Sequence, residues 1–276
     1  AYPSFNAFFT RALRPEARPL PAEPQALVSP ADGGLSQFGA IKESRLFQAK
    51  GLDYALEDLV VNPDWAQRFV GGSFATVYLS PRDYHRVHMP ATGRLREMIH
   101  VPGRLFSVNR ATASLVPRLF ARNERVVCLF EGEAGPFAVI LVGAIFVGGM
   151  ETVWAGEVTP ARGASPRRRY DDGAAVNLVR GAEMGRFNMG STVILLFPPG
   201  AVAWETDLAP GASLRMGQRL GSLNRVGHSR PGGVSKTAPE APQVAGKTEG
   251  RLPSALSTSK GSGPKRSRPA SRRRPR

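Results

Sequence analysis

Five apolar runs of strand length, punctuated by glycine, proline and charged residues, limit this chain to a fold built mainly of short β-strands. They are Phe74–Leu79, Leu95–Val101, Val126–Phe130, Phe137–Val147 and Val193–Phe197. Their Val, Ile and aromatic content suits a pleated, buried surface. Turn signals recur between them, at Glu133-Ala134-Gly135-Pro136, Pro198-Pro199-Gly200 and Pro210-Gly211. The stretch Ala26 to Leu35, with Asp32-Gly33-Gly34 at its centre, reads as a hairpin. Helical pieces are short. Residues 2–14 form an aromatic, amphipathic segment in which Ser4 caps a short helix, and residues 52–69 read as two helices with Asp53 and Asn62 as N-caps and Pro63 at a first helical position. A third covers Arg110 to Leu115, ahead of Pro117. The expected fold class is α+β, mainly bent antiparallel β-sheets with short helices.

The longest apolar stretch, Phe137 to Met150, is too short to cross a bilayer and is interrupted by Gly143, Gly148 and Gly149. No membrane span or secretory signal is read. The sequence starts at Ala1 without a methionine, so an N-terminal anchor is left open. The single cysteine, Cys128, sits in an apolar run and reads as a buried core thiol in a reducing compartment.

The net charge of +15 is concentrated at one end. Residues 221–276 carry 13 Lys+Arg and 2 Asp+Glu, which leaves the rest of the chain only mildly basic. Apolar patterning stops at about Gly227, and Gly, Pro, Ser, Thr, Lys and Arg dominate thereafter. Such a segment buries too little apolar surface to offset chain entropy. The expected division is therefore a folded domain over 1–226 and a disordered basic tail over 227–276. The tail ends in Arg272-Arg273-Arg274 and Arg276, which attract anionic lipid in one reading and are merely solvated in the other. Residues 156–175 read as a polar loop around Arg167-Arg168-Arg169.

Three stretches carry chemistry. Ser29-Pro30-Ala31-Asp32-Gly33 offers a carboxylate, and Tyr84-His85-Arg86-Val87-His88-Met89-Pro90 offers two imidazoles. Gly190-Ser191-Thr192 offers a hydroxyl just before an apolar run. A hydroxyl, an imidazole and a carboxylate are the parts of an activated-serine site. Taken singly, Asp32 reads as a turn residue and the histidines as core residues. A metal site needs a third ligand, for which His100 is the remaining core histidine, and no metal is expected.

Together, and in this order, the three stretches resemble the phosphatidylserine decarboxylase family. Neighbouring stretches fit as well: Ser80-Pro81-Arg82-Asp83, Val101-Pro102-Gly103, Phe120 to Arg125 and Glu151 to Gly156. The resemblance runs from about Phe5 to about Leu220. The family usually has Leu where this chain has Met189, a swap of similar volume.

The resemblance implies an inactive precursor in which Ser191 attacks the carbonyl carbon of Gly190. The chain would be cut into a large chain, 1–190, and a small chain starting at 191, associated as a heterodimer. Ser191 would become a pyruvoyl group, the covalent cofactor, which forms a Schiff base with phosphatidylserine and releases carbon dioxide to give phosphatidylethanolamine. His88 is assigned as the base of self-cleavage, oriented by Asp32, and His85 as the proton donor in decarboxylation. Asp83 is a candidate to hold these histidines. Gly190, lacking a Cβ, lets the chain bend back on itself. The expected partner is phosphatidylserine in an anionic membrane surface. The expected location is peripheral, at the cytoplasmic face of the cell membrane. No nucleic acid is expected, and oligomerisation beyond the heterodimer is left open.

Two other classes compete. One is a serine hydrolase using Ser191, His88 and Asp32 on an external substrate, disfavoured because no Gly-X-Ser-X-Gly elbow surrounds Ser191. The other is a non-catalytic membrane- or nucleic-acid-binding module working through the tail.

Overall fold

The structure, a computed structural model, describes residues 2–49, 51–145, 149–159, 167–170, 175–188 and 191–224. The expected basic tail, like Gly190 and Met189, lies outside them. Among the described residues the architecture is α+β, with antiparallel strands in four sheets and a few short helices. No helix there is long and apolar enough to cross a membrane.

A large twisted sheet organises everything else. Its strands run in the order Arg167–Arg169, Gly93–Val101, Arg125–Gly132, Gly135–Val142, Ser191–Phe197, Ser73–Leu79, Gly33–Ala40 and Ser213–Leu214, and Asn177–Leu178 also pairs with Gly93–Val101. Both faces of its central strands are buried, which is why those runs are apolar throughout rather than alternating. Val193, Leu195, Cys128, Val139 and Val77 face one hydrophobic cluster. Ile194, Leu196, Leu129, Ile140 and Phe74 face the other, with Leu56, Leu59, Trp65 and Phe69 from the helices Leu56–Val60 and Pro63–Phe69. Each fully buried side chain of this size stabilises by about 1.5–3 kcal/mol. Cys128 is wholly buried, and burial pushes its thiol pKa up, as a core residue requires.

A four-stranded sheet covers part of the first face, in the order Gly156–Thr159, Met150–Thr152, Glu183–Phe187, Arg86–His88. Val87, Met150, Met184 and Phe187 join the cluster from that side. A third sheet pairs Ala26–Val28 with Arg219–Leu223 and that strand with Val202–Trp204.

Several expectations need correction. The Asp32-Gly33-Gly34 stretch is not a hairpin. The strand before it pairs with Arg219–Leu223 and the strand after it with Ser73–Leu79, so the bend passes the chain between sheets. Gly33 is needed there because a Cβ would come within 2.2 Å of the Tyr78 carbonyl oxygen. Asp53 is not a helix cap. It lies in the strand Leu52–Ala55 and pairs with Arg45, whereas Asn62 caps as expected by accepting from the Trp65 amide. Arg167-Arg168-Arg169 is an edge strand rather than a loop, paired with Glu97 to Ile99, and Arg167 meets the buried Glu97 carboxylate. The run starting at Phe137 leaves the sheet at Val142, short of Val147.

Candidate active site

The site is assembled where the large sheet meets the four-stranded one. Ser191 opens the strand Ser191–Phe197 and lies opposite Leu79. After Leu79 the chain turns through Ser80 to Asp83, fastened by the Asp83 carboxylate accepting from the Ser80 amide at 2.7 Å. That turn delivers Tyr84 and His85, then the strand Arg86–His88. The same segment pairs with Glu183–Phe187, and the Phe187 amide donates to the His85 carbonyl at 3.0 Å. Asn188 follows, held by the Gly149 carbonyl and by Glu151, which also binds Arg186 at 2.5 Å. The chain on either side of residues 189–190 is thus pinned beside the histidine segment.

Ser191 is wholly buried, and its Oγ has no hydrogen-bond partner among the described residues. An unmatched buried hydroxyl costs about 1–3 kcal/mol, and such a cost points to a functional use. By strand alternation Ser191 shares the face of Val193, the face on which Val87, Met184 and Phe187 lie.

His85 is also wholly buried. Its Nδ1 lies 2.7 Å from the Asp83 carbonyl oxygen. A carbonyl only accepts, so Nδ1 carries the proton and Nε2 presents a lone pair. Among the described residues that Nε2 has no partner. The Phe9 ring covers the imidazole, with centroids 4.1 Å apart. Burial lowers the pKa of His85, with the Asp83 contacts opposing the shift. Asp83 therefore holds His85 through its backbone carbonyl, while its carboxylate holds the turn.

His88 has the same tautomer by the same logic, with Nδ1 donating to the Gly181 carbonyl at 2.8 Å. Its Nε2 accepts from the Tyr84 hydroxyl at 3.0 Å. Burial lowers the His88 pKa and pushes that of Tyr84 up to about 12. The His88 amide donates to Pro30, which brings the Asp32 turn alongside. Asp32 nevertheless does not bond His88. Arg18 grips both carboxylate oxygens, and the Met216 amide donates to Oδ1 at 2.7 Å. The orienting bond expected from Asp32 is made instead by a backbone carbonyl. His88 and Tyr84 face a cleft of about 420 Å³ lined by Leu13, Arg14, Arg18 and Leu20.

His100 spends its Nε2 on Glu124 at 2.9 Å. Among the described residues no three His, Cys, Asp or Glu side chains are grouped to hold a metal.

Sequence reasoning missed Arg18, Gly181 and Phe9. Arg18 sits in a Pro-rich segment that reads as a linker, and a backbone carbonyl has no residue signature. Phe9 was legible only as part of an aromatic segment.

The profile of the family described as phosphatidylserine decarboxylase matches residues 5–222. The chain belongs to that family. Among curated relatives, the phosphatidylserine decarboxylase proenzyme of Azotobacter vinelandii is 60% identical over 227 residues, covering 81% of this chain and 79% of the relative. Those of Pseudomonas fluorescens and Pseudomonas putida (strain W619) are each 59% identical, over 80% of this chain and 78% of theirs. The decarboxylase family's matched span takes in all three chemical stretches.

Proposed function

We propose that this chain is the precursor of a carboxy-lyase that converts phosphatidylserine to phosphatidylethanolamine after cutting itself between Gly190 and Ser191. The observation that carries the reading is the Ser191 hydroxyl, buried with no hydrogen-bond partner among the described residues, at the first residue of a central strand and on the sheet face covered by the four-stranded sheet that bears His88. Complete burial also counts against a hydrolase acting on an external ester.

In this reading His88 takes the Ser191 proton at Nε2 once Tyr84 yields that position. Oγ bonds to the Gly190 carbonyl carbon, the C–N bond breaks, and the proton ends on the freed amine. Loss of the Ser191 α-proton then breaks the Cβ–Oγ bond, leaving a carboxylate on residue 190. Water converts the remaining dehydroalanine to a pyruvoyl group and ammonia. Asp32 acts from alongside as the partner of Arg18 rather than through a bond to His88.

A pyruvoyl group at position 191 would lie in a fully buried position, in a site that also holds the His85 Nε2, which has no partner among the described residues. It supplies the electron sink that lets the substrate carboxylate leave as carbon dioxide. His85 then hands a proton to the carbon. Since its Nδ1–H is committed to Asp83, Nε2 must first take up the proton it delivers.

The large and small chains stay together as one body, with 1–226 the catalytic part and 227–276 a basic tail. In this reading the protein lies peripherally at the cytoplasmic face of the cell membrane, and the helix Phe5–Phe9 supports its contact with lipid. It turns Phe9 inward onto His85 and leaves Tyr2, Phe5 and Phe8 largely exposed, where they meet lipid close to the site.

Intact mass under denaturing conditions tests the cut. Two fragments meeting at Gly190/Ser191, the smaller lighter by one ammonia than hydrolysis gives, are expected, with carbon dioxide release from phosphatidylserine vesicles. One uncut, inactive chain overturns the reading.

A further inference from the structure

The grip of Arg18 on Asp32 is not a loose surface contact. The two side chains are 20% and 15% exposed, and the guanidinium meets the carboxylate through two nitrogens. The segment bearing Arg18 is fixed on its far side by Arg180, which donates to the carbonyls of Pro21 at 2.7 Å, Glu23 at 2.5 Å and Ala26 at 3.1 Å. Leu20 packs onto Gly181, where a Cβ would stand 2.4 Å from its Cδ1. That same Gly181 carries the carbonyl that holds His88. One strap of chain therefore touches both Asp32 and the support of the imidazole.

The charged groups that face His88 sort into two pairs. Arg86 and Glu183 neutralise each other at 2.7 Å, and Arg18 neutralises Asp32. Arg14 lines the same cleft, and Tyr84 caps Nε2. Taking away one member of a pair leaves the other uncompensated beside the imidazole, where partial burial weakens solvent screening.

We propose that Arg18 is a positioning residue for self-cleavage: it holds the Asp32 carboxylate off His88 Nδ1 and cancels its charge, so that His88 rests as an unprotonated base on the Gly181 carbonyl. The inference rests on His88 being the base of the proposed cleavage, but its first readout does not. A bidentate guanidinium suits this task because it fixes both carboxylate oxygens at once.

The experiment is a magnetic-resonance titration of His88 in the full chain carrying Ser191→Ala, which stays uncut. Only four histidines are present, and His88→Gln assigns the signal. Arg18→Gln is expected to raise the His88 midpoint by about one pH unit, because a free carboxylate then faces the imidazole. Asp32→Asn, which frees the guanidinium, is expected to lower it. Arg18→Lys is expected to leave the midpoint nearly in place, and the double variant Arg18→Gln with Asp32→Asn to return it close to the parent. The opposite signs of the two single variants separate this effect from misfolding, which would move both towards the value of a solvated histidine. A midpoint indifferent to Arg18→Gln and Asp32→Asn overturns the proposal.

The second readout is the pH dependence of cutting, timed in cell-free translation with Ser191 intact. The limb reporting the base should move with the titration midpoint. If the midpoint moves and the limb does not, His88 is not the base, and the proposed function fails at that residue while the hold on Asp32 stands.

Discussion

His85 and His88 lie three residues apart on one segment and have been given opposite surroundings. Both commit Nδ1–H to a backbone carbonyl, so both present Nε2 as a lone pair. One Nε2 is sealed beneath Phe9 with no partner among the described residues, and the other is capped by a hydroxyl at the edge of a basic cleft. A sealed, partnerless nitrogen is suited to act on whatever enters the site, with no competing water. A capped nitrogen facing paired charges is suited to act once, on a group of the chain itself, when its cap is displaced. The backbone fixes the tautomer in both, and the neighbouring side chains separate the tasks.

That division can be broken in order of expected effect. Ser191→Ala should abolish both the cut and carbon dioxide release, since it removes nucleophile and cofactor source together. His88→Gln should slow the cut by about 10²–10⁴-fold, the usual worth of a positioned base, as read by the rate at which fragments appear. His85→Gln should leave the cut largely intact while lowering carbon dioxide release by about 10²-fold or more. If His85→Gln blocked cutting as severely as His88→Gln, the two imidazoles would share one task and the contrast would collapse.

Smaller effects sharpen the comparison. Phe9→Ala should cost about 3 kcal/mol, the low end for a buried phenyl ring, because the five-residue helix can resettle. It should also let the His85 pKa climb back towards the ordinary imidazole value, and urea midpoints with histidine titration would check both. Both histidines are depressed by burial. The unfolded chain therefore binds protons first as pH falls through about 6.5, and stability present above that pH is lost below it, by about 1 kcal/mol per pH unit for each histidine. Urea unfolding at pH 7 and pH 5.5 measures this, and replacing either histidine should flatten the slope. Tyr84→Phe removes a donor that favours neutral His88, so the midpoint should rise by roughly half a unit, with less than about a tenfold change in cutting.

Much of the architecture could be read from the residues alone. The apolar runs became strands, Ser4 and Asn62 capped the helices they precede, and the order of motifs pointed to the family. What failed was the choice of long-range partner. Asp32-Gly33-Gly34 carries a turn signal, but such a signal says nothing about which sheet each flanking strand will join. Asp53 precedes a helical pattern, yet pairing with the strand Arg45–Ala49 claimed it first. At the site, the residue types were legible and their connections were not. A carboxylate, an imidazole and a hydroxyl suggest a chain of two hydrogen bonds, whereas Arg18 outcompetes the imidazole for Asp32 because a guanidinium offers two parallel donors. The stretch Phe120 to Arg125, part of the same resemblance, proved structural. Arg125 is buried on the carbonyls of Asp58, Leu59, Ala121 and Asn123, and Asn123 bridges Phe106 and Gly143.

The strand that Ser191 opens lies in the middle of the large sheet, with Ser73–Leu79 on one side and Gly135–Val142 on the other. Both neighbours precede residue 190, and the segment Arg219–Leu223 is likewise laced to Ala26–Val28. Scission at Gly190 would therefore sever the covalent thread without loosening the weave. The nicked protein should migrate as a single particle in any gentle separation, and only a denaturant would reveal that it had become two. A small fragment expressed alone would present the seven buried residues of Ser191–Phe197 to solvent with no edges to join, and should precipitate rather than fold.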